Sequence, residues 1–159
     1  GSETSEVLPV IDACVERFRA EGLDVARASL PGIPEPELLE LKVCMAAETL
    51  DSILSNLVDN ARHHGGDGVS VRLEPTIDPH EGDAGSVTIR VRDDGPGISE
   101  GNRSKIFDRF FTTRRDQGRS GLGLSIVQAL VEAHRGSIAI ESRPGDTVFS
   151  LRIPVFRIN

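Results

Sequence analysis

Asn56 and Asn60 stand four residues apart in a segment whose apolar residues recur at helical spacing, so both amides project from one helix face beside the stripe. A solvated face would explain an isolated pair. The chemical alternative is that a side-chain oxygen joins Mg2+, a hard ion that keeps several waters and shares substrate phosphates. Asp93-Asp94-Gly95-Pro96-Gly97-Ile98 follows directly on the clearest strand pattern in the chain. Its composition suits an ordinary turn. A carboxylate at a strand end can also accept a hydrogen bond from the exocyclic amine of adenine, where guanine would present an acceptor oxygen. Gly95 and Gly97 would let the backbone turn tightly and approach a base with no Cβ in the way. A third segment, Gly118-Arg119-Ser120-Gly121-Leu122-Gly123-Leu124, opens a helix, where unpaired N–H groups and the helix dipole favour a phosphate. It is neither a Walker A loop nor a dinucleotide fingerprint, and a flexible helix start is its plainer reading.

Between Ile98 and Gly123 the basic residues Arg103, Lys105, Arg109, Arg114, Arg115 and Arg119 face only Glu100, Asp108 and Asp116. A basic segment suits a triphosphate, although most charged loops are simply solvated. Phe107, Phe110 and Phe111 lie in the same stretch; they either anchor it to the domain or present an apolar surface to a partner. The whole chain is acidic, with net charge −7, which argues against general binding to nucleic acid or to an anionic membrane. Cys14 and Cys44 lack the close Cys or His neighbours of a zinc site, and a reduced, cytosolic setting fits them. Cys14 shares a helical face with Ile11, Val15 and Phe18, so it reads as core packing.

The elements that must hold these groups follow from periodicity. Helical spacing predicts a helix over 10–21, and alternation predicts strands over 23–30 and 39–45. A long helix over 46–64 carries Leu50, Ile53, Leu54, Leu57 and Ala61, and Gly65-Gly66 ends it. Strands are expected at 69–73 and 87–92, with a polar loop over 74–85 between them. Residues 99–120 form a long loop with short helical pieces, followed by a helix over 122–134. Strands at 137–141 and 147–153 close the chain, with Pro144-Gly145 supplying the turn between them. At 159 residues, 38% apolar and 27% charged, this is one globular domain. It is expected as a two-layer α/β sandwich, one mixed β-sheet packed against helices. Residues 1–6 read as an expression scar and linker, and no stretch approaches the roughly 20 apolar residues of a membrane span.

In order, Asn56-x-x-x-Asn60, Asp93-x-Gly95-x-Gly97, Phe107 with Phe110, Gly121-x-Gly123 and Thr147-x-Phe149 resemble the N, G1, F, G2 and G3 boxes of sensor histidine kinases. The resemblance implies the Bergerat ATP-binding fold shared with gyrase, mismatch-repair and heat-shock chaperone ATPases. It implies that Asn60 holds Mg2+, that Asp93 reads adenine, that residues 98–120 are the ATP lid, and that Thr147 lies at the adenine end. Asn56, His63, His64, Gly95, Gly97, Ile98, Arg119, Ser120, Gly121, Leu122, Gly123 and Leu124 complete the nucleotide site so implied. Two positions depart from the pattern. His63 stands where Lys or Arg is common, and Arg119 stands where the first glycine of the G2 box is usual.

A domain of this type binds ATP with Mg2+ and passes the γ-phosphate to a histidine on a separate dimerisation domain, with a response regulator downstream. It would be a cytoplasmic part of an inner-membrane sensor, without direct membrane or nucleic-acid contact of its own. None of His63, His64, His80 and His134 lies in the His-Glu/Asp-x-x-x-Pro context of a phosphoacceptor. Two other classes compete. A hydrolytic ATPase of the same fold needs a base for water, usually a Glu four residues before the metal-binding Asn, and Asn56 stands there. A module that binds partners and no longer nucleotide would be expected to lose the Asn, Asp and glycine positions, all of which remain.

Overall fold

Val87, Ile89 and Val91 alternate with Thr88, Arg90 and Arg92, and in the computed structural model this pattern becomes the central strand β5 (Ser86–Asp93). The structure describes residues 3–28, 40–66, 68–78, 85–107 and 123–156. β5 lies between β4 (Ser70–Asp78) and β7 (Asp146–Pro154), antiparallel to both; β2 (Asp24–Arg27) runs parallel to β4, and β6 (Ser137–Arg143) closes the far edge. The result is a mixed five-stranded sheet of order β2-β4-β5-β7-β6.

One face of the sheet is apolar. Val91 pairs with Phe149, Ile89 with Leu151 and Val87 with Ile153, all fully buried. Each such side chain contributes about 1.5–3 kcal/mol of burial. Helices α1 (Val7–Ala20), α2 (Ala47–Gly65) and α4 (Leu124–Ala133) supply the opposing layer; Ile11, Leu50, Ile53, Leu54, Leu57, Val127 and Val131 join the same core. The short helix α3 (Glu100–Arg103) is capped by Ser99, whose Oγ accepts from the N–H of Asn102. On the outer face Arg92 pairs with Glu74 at 3.3 Å and Asp146 at 2.6 Å.

The seam between α1 and α2 fixes the rotation of α2. Arg17 reaches Asp51 and Ser55, and Arg62 reaches Glu21 and Asp59. Both guanidinium groups lie over the Phe18 ring, at 5.6 and 5.3 Å. Cys14 is buried on this seam as expected, and burial pushes its thiol up to about 11.

Several boundaries differ from expectation. α1 begins at Val7 rather than Val10, because Pro9 falls in the first turn, where a missing N–H costs nothing. β4 runs to Asp78 through what reads as a polar loop: its outer face is solvated, and Pro75 lies beyond the last β2 pairing at Leu73, where β4 has become an edge. The strand expected over 39–45 shortens to β3 (Lys42–Val43), which pairs not with the main sheet but with β1 (Ser5–Glu6). Ser5 and Glu6 are therefore ladder residues, not linker. The alternating burial of Leu41, Val43 and Met45 is nevertheless present. This small ribbon is tied to the end of β7 by a bridge from Val43 to Val155, by Cys44 N–H to Pro154 O at 3.2 Å and by Phe156 N–H to Lys42 O at 2.8 Å.

Candidate functional site

The inner face of β5 reads Val87, Ile89, Val91, Asp93, and that of β7 reads Thr147, Phe149, Leu151, Ile153. The apolar row thus ends in a polar pair. Asp93 and Thr147 are cross-strand partners, 2% and 0% exposed. Among the described residues the Asp93 carboxylate has two partners. Oδ1 accepts from Gly95 N–H at 3.0 Å, an Asx turn that starts the loop after β5. Oδ2 lies 3.2 Å from His64 Nε2.

His64 in turn meets Asn60, one helical turn earlier on α2, with Asn60 Nδ2 3.3 Å from His64 Nδ1. With the Asn60 amide nitrogen donating, Nδ1 is an acceptor and the ring proton sits on Nε2, where it donates to Asp93. The Asn60 amide oxygen then has no partner among the described residues. Asn56, a further turn back, is buried and donates its amide nitrogen to Ser52 O at 2.6 Å.

The loop after β5 is pinned on both sides. Gly97 has φ +92°, and a Cβ there would stand 3.0 Å from the Arg143 carbonyl group. A Cβ on Gly95 would stand 2.8 Å from the Cα of Gly65 at the end of α2. The space these glycines leave is taken by protein backbone, where the sequence suggested a base. Gly145 N–H donates to Gly95 O at 2.8 Å, and Ile98 N–H donates to Ser142 Oγ at 2.8 Å. Ser142 Oγ also meets Thr147 Oγ1 at 2.7 Å. Ser142 was not foreseen: a serine on an edge strand carries no signal of its own, and only the β6–β7 register places it opposite Thr147. An open cleft of about 390 Å3 flanks the loop, lined by Gly65, Gly68, Val69, Asp94, Gly95, Pro96 and Gly145.

The structure therefore brings Asn60, His64, Asp93, Gly95, Gly97, Ile98 and Thr147 into one connected group. His63 is half-buried at the end of α2 and has no bond to that group among the described residues. Gly123 and Leu124 form the start of α4, where Gly123 O accepts from Ile126 and Val127 N–H. Arg119, Ser120, Gly121 and Leu122 lie outside the described residues, as do Phe110 and Phe111 and most of the lid expected over 98–120. Phe107 packs its ring edge-on against Phe149, 6.4 Å between centroids, so it anchors the start of that segment to the core. Among the described residues no cluster of His, Cys, Asp or Glu side chains could hold a metal, and no helix is long and apolar enough to cross a membrane.

Residues 45–157 match the family model described as histidine kinase-, DNA gyrase B-, and HSP90-like ATPase. The chain is 41% identical over 113 residues to the probable sensor histidine kinase TcrY of Mycobacterium tuberculosis, which covers 69% of this chain and 23% of TcrY. It thus spans about a quarter of that relative's length. It is 36% identical to the sensor histidine kinase component HK1 of the same organism, over 95% of this chain and 83% of HK1. Among solved structures, the catalytic domain of histidine kinase ThkA superposes with a TM-score of 0.71 and 26% identity, covering 95% of this chain and 93% of that one.

Proposed function

The chain belongs to the histidine kinase-, DNA gyrase B- and HSP90-like ATPase family and carries the α/β Bergerat fold of histidine kinase catalytic domains; from that premise we propose that it binds ATP with Mg2+ and presents the γ-phosphate to a histidine on a separate dimerisation domain. The observation that carries this reading is the convergence of Asn60, Asp93 and Thr147 at one end of the core, where the apolar row of the sheet turns polar.

In this reading Asp93 accepts the adenine amine, and the backbone of the loop after β5 keeps its own hydrogen bonds to the β6–β7 hairpin while it does so. Asn60 would hold Mg2+ through its amide oxygen, and the ion, when bound, neutralises phosphate charge. The lid residues Arg119 and Ser120, with Gly121 and Leu122 after them and the start of α4 at Gly123 and Leu124, would meet the phosphates. Transfer forms a bond from the incoming imidazole nitrogen to the γ-phosphorus as the bond to the ADP oxygen breaks. The domain contributes position and charge, and any base comes from the partner.

A hydrolytic ATPase is the second reading. It is disfavoured at Asn56, whose amide cannot take a proton from water and whose nitrogen is turned to the backbone of its own helix. Labelled ATP distinguishes the two. Alone, the chain should neither label itself nor turn over ATP; with a separately expressed dimerisation domain from its parent kinase it should label that domain's histidine, slowly for want of a tether. Rapid hydrolysis by the chain alone would select the ATPase, and labelling of one of its own histidines would remove the separate acceptor.

A further inference from the structure

The Asp93 side chain is 1% exposed, and both of its oxygens are engaged: Oδ1 by Gly95 N–H and Oδ2 by His64 Nε2. An adenine amine that pairs with Oδ2 therefore has to take the place of the His64 imidazole. The His64 side chain is 14% exposed, and its second nitrogen is held by Asn60.

We propose that His64 is a specificity-determining residue that competes with the adenine amine for Asp93 Oδ2, so that nucleotide reaches the carboxylate only when the imidazole swings away. The proposal rests on the reading of Asp93 as the base-recognition group. The exchange is of one N–H donor for another, the imidazole Nε2–H for the exocyclic N–H of adenine, and the carboxylate is paired in both states. Its cost falls on any nucleotide that uses Asp93. A nucleotide with hydrogen in place of the 6-amino group gains nothing by displacing the ring.

His64 is thereby linked to the metal side of the site as well. Releasing Asp93 frees the imidazole to turn about its own side-chain bonds, and the Asn60 amide nitrogen loses a partner that has oriented its oxygen. Base recognition and the orientation of the proposed Mg2+ group are coupled through one ring.

Calorimetric titration of the intact chain with ATP and with purine riboside triphosphate, in Mg2+, tests this. His64→Phe keeps an aromatic ring and removes the donor. The ratio of the purine riboside triphosphate Kd to the ATP Kd should rise roughly fivefold or more in this variant. His64→Gln, whose amide nitrogen can replace Nε2, should return the ratio toward that of the wild-type chain, and circular dichroism confirms that both variants fold. An unchanged ratio in folded His64→Phe, or an equal rise in both affinities, would overturn the competition. A wild-type chain that binds both nucleotides equally would remove the base-reading role of Asp93 itself, and the proposal with it.

Discussion

Asp93 and Thr147 are the last cross-strand pair on the inner face of the β5–β7 ladder, both buried, with only apolar pairs behind them. The candidate site is thus the polar end of the hydrophobic core, and its geometry is inherited from strand register. A slip of either strand by one residue would turn its member of the pair to the outer face.

Asp93→Asn should lower ATP affinity by about tenfold and erase the preference over GTP, because an amide can offer only one acceptor oxygen. The asparagine oxygen can still accept from Gly95 N–H, so the turn should survive. Calorimetry with both nucleotides, beside a thermal melt, separates recognition from folding.

Asn60→Ala should abolish most of the Mg2+ dependence of ATP binding and leave the melting temperature nearly unchanged, since the residue lies outside the apolar stripe of α2. Titrations with Mg2+ and with EDTA give the comparison. Equal dependence in the variant and the wild type would move the metal site elsewhere.

Gly97→Ala should destabilise the domain by about 1–3 kcal/mol, because the position has φ +92° and its Cβ would press on the Arg143 carbonyl. Gly101→Ala, where a Cβ meets nothing within 4 Å, is the control. Urea denaturation of the two variants should differ by that amount.

Cys14 should resist iodoacetamide at pH 8 in the folded chain and react on unfolding, while half-buried Cys44 reacts earlier. The raised thiol also sets a pH window. Burial favours the neutral form, so its contribution is complete below the ordinary value of 9.0 and is lost as pH rises toward about 11. Cys14→Ala should flatten that alkaline decline in a series of denaturation curves.

The long helix was legible because Leu50, Ile53, Leu54, Leu57 and Ala61 repeat without interruption, and the structure places it at Ala47–Gly65. Asp93 was legible from its position after a strongly alternating strand. The link from Asn60 through His64 to Asp93 was not: it joins residues 29 apart in sequence, across α2 and β5, and adjacent histidines at a helix end look the same whether or not one meets a carboxylate. Ser142 and the extension of β4 were hidden for the same reason. Their roles are defined by strand partners, and local composition carries no record of pairing.

The ribbon of β1 and β3 meets β7 near Pro154 and Val155, beside Ser86 at the start of β5, whereas Asp93 ends β5 seven residues on. Strand rise puts about 23 Å between the two ends. A dye or surface tether attached beside Ser5 or Phe156 would therefore sit a full strand away from the nucleotide, so that force or fluorescence applied there reads the domain as a whole and not the occupancy of its site.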